Sequence, residues 1–195
     1  MENIKNKKSV KLTFNLENGL SPEKKPIKRM LSQMEGMYLD NNKLNEMVNS
    51  GDVVVYEFYD LGVIEDPGEL AYGTTILYPG KVGDEYFMTK GHFHAKINTA
   101  EIYYCIKGKG YILMESLDGT TEIQEITPGV SVYVPPSYAH RSINISKTEP
   151  LISFFAFRAD AGHDYKTIES KGFRKLVIER EGEPIIINNP NWNSE

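Results

Sequence analysis

A single cysteine, Cys105, stands in the 195 residues, so no disulfide can form within the chain. Basic charge is also scarce. Lys and Arg number 22 against 27 Asp and Glu, for a formal net charge of -5. A non-specific nucleic-acid binder advertises a basic surface, and that class is excluded. Long apolar runs are missing: the stretch around Leu151–Phe157 falls far short of the roughly 20 residues that span a bilayer. The opening MENIKNKKSVKLTFN has charges but no apolar segment of about 7–15 residues behind them, so no signal peptide is expected. There is no internal repeat and no low-complexity segment. The length suits one sizeable core, and the expectation is a single-domain cytoplasmic protein without nucleic-acid or membrane partners.

What is present is a succession of short runs rich in Val, Ile, Tyr, Phe and Thr, among them Val53–Tyr59, Gly73–Tyr78, Tyr86–Thr89, Ala100–Ile106, Val130–Val134, Ile143–Ile145 and Lys175–Ile178. Pro79-Gly80, Asp118-Gly119, Pro128-Gly129 and Pro135-Pro136 separate them. Such spacing predicts an all-β sandwich or barrel. Helical periodicity is confined mainly to the front, over Ile27–Glu35 and over Asn42–Asn49 with Gly51 as its stop. Residues 161–172 suit one more short turn. The expected organisation is an arm with short helices over 1–50, a barrel over 51–187, and a tail over 188–195 with Trp192 able to dock.

Of four histidines, three fall in a pattern with one carboxylate. His92 and His94, two apart on an extended chain, share a face. Glu101 follows after room for a turn, with Tyr103 on its face, and His140 comes after a Pro-Pro break. Three imidazoles and a carboxylate suit one divalent ion per subunit with coordination sites left open. Fe2+, Mn2+, Co2+, Ni2+ and Zn2+ all accept such a set.

The strings HxH–x6–E–x6–G, ending at Gly108, and G–x5–P–x4–H–x3–N, from Gly129 to Asn144, resemble the two motifs of the cupin superfamily. The resemblance implies a double-stranded β-helix, the jelly-roll barrel, with a metal in its mouth. Tyr86 stands where the first motif has a glycine, and Ser137 where the second has one. The longer strings TKGHFHA, KGKGYILMES, VPPSYAHRSIN and RADAGHDY resemble the cupin-type phosphoglucose isomerases from about Tyr56 to Phe173. That family converts glucose 6-phosphate and fructose 6-phosphate reversibly, in glycolysis and gluconeogenesis, and the resemblance implies a homodimer. An arm over Ser9–Leu16 that alternates apolar and polar residues is suited to pair with a neighbour's edge strand.

For such a reaction the expected ligands are His92, His94, Glu101 and His140. Glu101 is also the candidate base, although a hydride shift between C1 and C2 needs none. Thr75, Thr89 and the Gly91 backbone suit phosphate oxygens. Tyr56 and Tyr103 are candidate substrate contacts by the family match, and His163 and Tyr165 are candidates for ring opening or sugar positioning. Lys90 points away from Thr89 by alternation. Phe157 replaces a tyrosine frequent in the family, and Arg158 beside it reads as a solvated charge. Cys105 reads as core. The competing functions are isomerisation or epimerisation of another sugar phosphate, a cupin dioxygenase, and a non-catalytic sugar-binding module.

Overall fold

The computed structural model describes residue 9 and residues 11–59 and 65–192. Residues 1–8 and 10 of the expected arm, residues 60–64 of the expected barrel and residues 193–195 of the expected tail lie outside them. In chain order the strands are β1 (Ile27–Met30), β2 (Val54–Phe58), β3 (Leu70–Leu77), β4 (Lys81–Val82), β5 (Glu85–Tyr86), β6 (Phe93–His94), β7 (Glu101–Lys107), β8 (Gly110–Ser116), β9 (Thr121–Ile126), β10 (Ser131–Val134), β11 (Tyr138–Asn144), β12 (Leu151–Arg158), β13 (His163–Asp164), β14 (Lys175–Arg180) and β15 (Glu183–Asn188). Two α-helices, α1 (Asn41–Ser50) and α2 (Lys166–Lys171), and one 3-10 turn over Leu31–Met34 accompany them. Among the described residues no helix is long and apolar enough to cross a membrane.

One wall is a six-stranded sheet in the order β1-β2-β3-β12-β7-β10. The other combines β11-β8-β9 with β15-β14-β5-β4. Isolated bridges from Met88 to Ile143 and from His92 to His140 tie those two groups together. This is the expected all-β double-stranded β-helix of a cupin barrel. Strand β7 shows how the walls enclose a core: Glu101, Tyr103 and Cys105 point in and are buried, while Ile102 and Tyr104 between them are exposed. Leu77, Met88, Ile112, Leu113 and Val134 fill the interior with Cys105. The Cys105 thiol, pushed up to about 11 by burial, is core as expected.

The front of the chain departs from its periodicity. Ile27–Glu35 reads as a helix, yet residues 27–30 form β1, antiparallel to β2. Without β1 the backbone groups of β2 would form an open sheet edge, and pairing outweighs the local spacing. Leu31 and Met34 still reach the core from the 3-10 turn. Helix α1 begins where the Asp40 carboxylate accepts from the Lys43 N–H at 2.8 Å and ends where the Gly51 N–H bonds the Met47 and Val48 carbonyls. At the other end β14 and β15 form a hairpin through Glu181 and Gly182, both at positive φ. Trp192 docks with its ring 4.1 Å from the Arg174 guanidinium carbon.

Candidate metal centre and active-site cavity

The His92–His140 bridge builds the site. The two residues exchange backbone hydrogen bonds of 3.3 and 3.1 Å, so their side chains leave adjacent strands side by side, with ring centroids 4.6 Å apart. His94, two residues on, lies on the same face. Glu101 comes from the opposite wall at the start of β7. Its Oε2 lies 3.0 Å from His140 Nε2 and 3.3 Å from His94 Nε2. One ligand atom from each of His92, His94, Glu101 and His140 can be chosen so that all lie within 4.8 Å of one another.

Two observations fit this group to a cation. The buried Nε2 atom of His92 has no hydrogen-bond partner, although such atoms are ordinarily satisfied. The outer nitrogens are engaged: His94 Nδ1 lies 3.4 Å from the Gly162 carbonyl and His140 Nδ1 lies 3.3 Å from that of Tyr138. With Nδ1 as donor, each Nε2 lone pair turns inward, the arrangement that orients imidazole ligands on a metal. The separations of 3.0 and 3.3 Å also match the roughly 3 Å between neighbouring ligand atoms around an ion bound at about 2.1 Å. Burial alone would raise the Glu101 pKa, but the His140, His94 and His92 imidazoles hold it far below the ordinary carboxylate value.

Three of the four side chains open onto a cavity of about 330 Å³. His92, Glu101 and His140 line it together with Tyr56, Thr75, Thr89, Gly91, Tyr103, His163 and Tyr165, so the expected substrate contacts share one space. Thr89 is held in place because its Oγ1 accepts from the Ser142 N–H at 2.9 Å. Gly91 has φ +78, and a Cβ there would come within 2.7 Å of the Phe173 ring and 3.1 Å of Arg141 Nε, so the backbone approaches the cavity only as glycine. Tyr103 is pushed well above the usual phenol value by burial and then by the Glu101 charge. Tyr165 is pushed up to about 12, first by burial. The loop bearing His163 is pinned by bonds from Lys96 N to Ala161 O and from Ala95 N to Gly162 O, 2.8 and 3.3 Å.

Two sequence expectations change. Lys90 lines the cavity, because residues 89–91 lie outside any regular strand and need not alternate, and its Nζ lies 2.5 Å from Glu169. Arg158 gives two bonds of 2.8 Å to Asp160, so it is paired rather than freely solvated. Ser142, Phe155 and Phe157 also line the cavity. Ser142 shares the parity of His140 on β11, a signal available once that strand is recognised.

The family model described as glucose-6-phosphate isomerase (GPI) matches residues 28–193. A glucose-6-phosphate isomerase of Thermococcus kodakarensis is 48% identical over 186 residues, 95% of this chain and 97% of its own length. One of Pyrococcus furiosus is 48% identical over 183 residues, 94% of this chain and 95% of its own length. Among solved structures, an oxalate decarboxylase mutant of Bacillus subtilis superposes with TM-score 0.43 at 26% identity, over 55% of this chain and 26% of that one. With a family match over most of its length and relatives of near half identity, the chain belongs to the glucose-6-phosphate isomerases of the cupin type.

Proposed function

We propose that this chain interconverts glucose 6-phosphate and fructose 6-phosphate as an aldose–ketose isomerase working with a divalent metal ion. One observation carries the reading: His92, Glu101 and His140 open onto the same cavity as Tyr56, Thr75, Thr89 and Gly91. Metal-ligating groups and neutral phosphate-binding groups thus face a single substrate.

The reaction moves a hydrogen between C1 and C2 and a proton between their oxygens. His92, His94, Glu101 and His140 would hold the ion, which would polarise the carbonyl and offset the negative charge that develops on the sugar oxygens. The Thr75 and Thr89 hydroxyls and the Gly91 N–H receive phosphate oxygens, with the Tyr56 hydroxyl beside them. Tyr103 and Tyr165 position the opened chain. His163, exposed at the mouth, is the imidazole available for proton movement during ring opening. Glu101 is the carboxylate among the histidines and accepts a proton from C1 or C2 if the reaction runs by proton transfer.

The enzyme works as a homodimer in this reading. On the outer face of the six-stranded sheet, Tyr133 stands opposite Ile102, and with Tyr104 they are 61%, 41% and 45% exposed. An apolar patch of this kind on a sheet face suits a second copy.

The test is a coupled assay on fructose 6-phosphate, run on untreated, chelator-stripped and metal-restored protein with oxygen monitored. Formation of glucose 6-phosphate that disappears on stripping and returns with metal, without oxygen uptake, is the expected result. Stoichiometric oxygen uptake would move the reading to a dioxygenase. Turnover confined to another ketose phosphate would move it to a different sugar, with Phe157 in the cavity wall as the first residue to change.

A further inference from the structure

A phosphate monoester carries close to two negative charges at neutral pH, and the hydroxyls and N–H assigned to it above are neutral. Most cations around the cavity already hold a carboxylate. Lys90 is paired with Glu169, Arg158 and Lys96 share Asp160, and Lys28 turns to Glu57 at 3.7 Å. Arg141 is buried behind the wall, stacked 4.2 Å from the Phe173 ring centroid and bonded to the Lys90 carbonyl.

Arg29 is placed differently. In the ladder of β1 and β2, Ile27 stands opposite Phe58 and Arg29 opposite Tyr56. Directly opposed residues of an antiparallel pair share a sheet face, and Ile27, Tyr56 and Phe58 all line the cavity. Arg29 therefore extends from the same face, beside Tyr56. Its Nε is buried with no hydrogen-bond partner, and among the described residues no ion pair ties it to a carboxylate. Its charge acts on the Tyr165 phenol, which also faces the cavity.

We propose that the Arg29 guanidinium binds the phosphate of the substrate, an assignment that rests on the sugar-phosphate isomerase reading above. Arg29 is half-buried and does not itself line the cavity as it stands, but it shares a sheet face with three residues that do, within reach of an anion held at the hydroxyls. The planar fork of arginine matches two phosphate oxygens, which a lysine ammonium does not reproduce. The edge strand β1 thereby supplies the charge that the six-stranded sheet otherwise lacks at that end of the cavity.

The test compares wild type, Arg29→Met and Arg29→Lys, all metal-loaded, for kcat and KM on fructose 6-phosphate and for competitive inhibition by inorganic phosphate. Loss of a charge-assisted contact made in both ground and transition states raises KM by about tenfold or more with a much smaller change in kcat. Inhibition by inorganic phosphate weakens in parallel, and Arg29→Lys falls between the other two. Unchanged KM and phosphate inhibition in folded Arg29→Met protein overturn the assignment. So does an equal loss in both variants carried by kcat and melting temperature, which marks a structural role. If Arg29→Met does not fold, the shift of KM and phosphate inhibition in Arg29→Lys decides alone. Absence of fructose 6-phosphate turnover in wild type overturns the isomerase reading itself, a separate outcome.

Discussion

His163 stands directly opposite His94 in the two-residue ladder of β13 and β6, so the strand that carries a candidate metal-ligating histidine also holds the exposed histidine at the mouth. The His163 ring lies 4.3 Å from that of His92 and stacks on Tyr165 at 5.7 Å between centroids. The ladder is a backbone interaction and survives a change of side chain. His163→Asn should keep its bound metal near the wild-type ratio while kcat falls by about 10²-fold or more, the range for loss of an acid–base group. Metal analysis beside the coupled assay checks both. Full activity would make His163 a bystander, and loss of metal would make it a support of the ligand set.

Thr75 and Thr89 separate binding from folding. Thr75 pairs with β2 and β12 through the strand ladder, so Thr75→Val keeps a β-branched residue there and removes only the hydroxyl. KM should rise about 2–10-fold with little change in kcat, from a contact of about 0.5–1.5 kcal/mol. Thr89→Val also removes the acceptor of the Ser142 N–H and should cost about 1–3 kcal/mol of stability as well. Melting curves and Michaelis plots for both variants check the contrast. Equal destabilisation by the two would sink it.

The candidate metal group is legible because three of its members lie within ten residues and the fourth follows a turn signal, so local spacing carries the pattern. The β-branched run predicts a strand only over Ile143–Ile145, whereas β11 runs Tyr138–Asn144. Six of its seven residues are buried, including Arg141 and Ser142, and a strand covered on both faces has no alternation to read. Strand β1 was hidden for the opposite reason. Its apolar spacing fits a helix, and only the open edge of β2, a long-range fact, decides for a strand. Ser137 has the left-handed φ of 70 in place of the motif glycine, so the turn outlasts the substitution. Tyr86, in place of the other glycine, is buried with its hydroxyl 3.3 Å from Glu179. The place of Arg29 is set by the residue opposite it, Tyr56, which spacing alone does not give.

Glu85 predicts a pH dependence of stability. It is buried, its Oε2 accepts from the Leu39 N–H at 2.9 Å, and its Oε1 has no partner. Burial pushes its pKa up to about 7, against the opposing effects of that N–H and the Arg141 charge. At low pH the carboxyl is protonated whether folded or unfolded, and its contribution is fully present. As pH rises past the ordinary value near 4.5, the unfolded chain releases the proton while the folded chain keeps it, and stability falls until about pH 7. The loss is of order 3 kcal/mol at most. Glu85→Gln retains an acceptor for Leu39 without titrating, so its stability relative to wild type should rise between pH 4.5 and 7. Urea midpoints at several pH values check this, and parallel curves for the two proteins would contradict it.

Glu101 has two possible duties, and one substitution separates them. Its Oε2 lies between His94 and His140, where a carboxylate serves as a ligand. The same residue lines the cavity beside Tyr103, where it could take a proton from C1 or C2. Glu101→Gln keeps the size and one oxygen donor, so the three histidines should retain part of the metal, and reloading should restore more. If Glu101 is the base, the reloaded variant loses at least about 10²-fold in kcat, and wild type run in heavy water places deuterium at C1 or C2 of the product. If the hydrogen moves as hydride, no deuterium enters, and the variant's loss follows its metal content alone. A shielded base exchanges slowly, so the kinetic loss at matched metal content is the stronger measurement. Deuterium incorporation together with full activity of the metal-loaded Glu101→Gln protein would assign the proton transfer elsewhere, and the ring of His163, 4.3 Å from His92, is the next group to test.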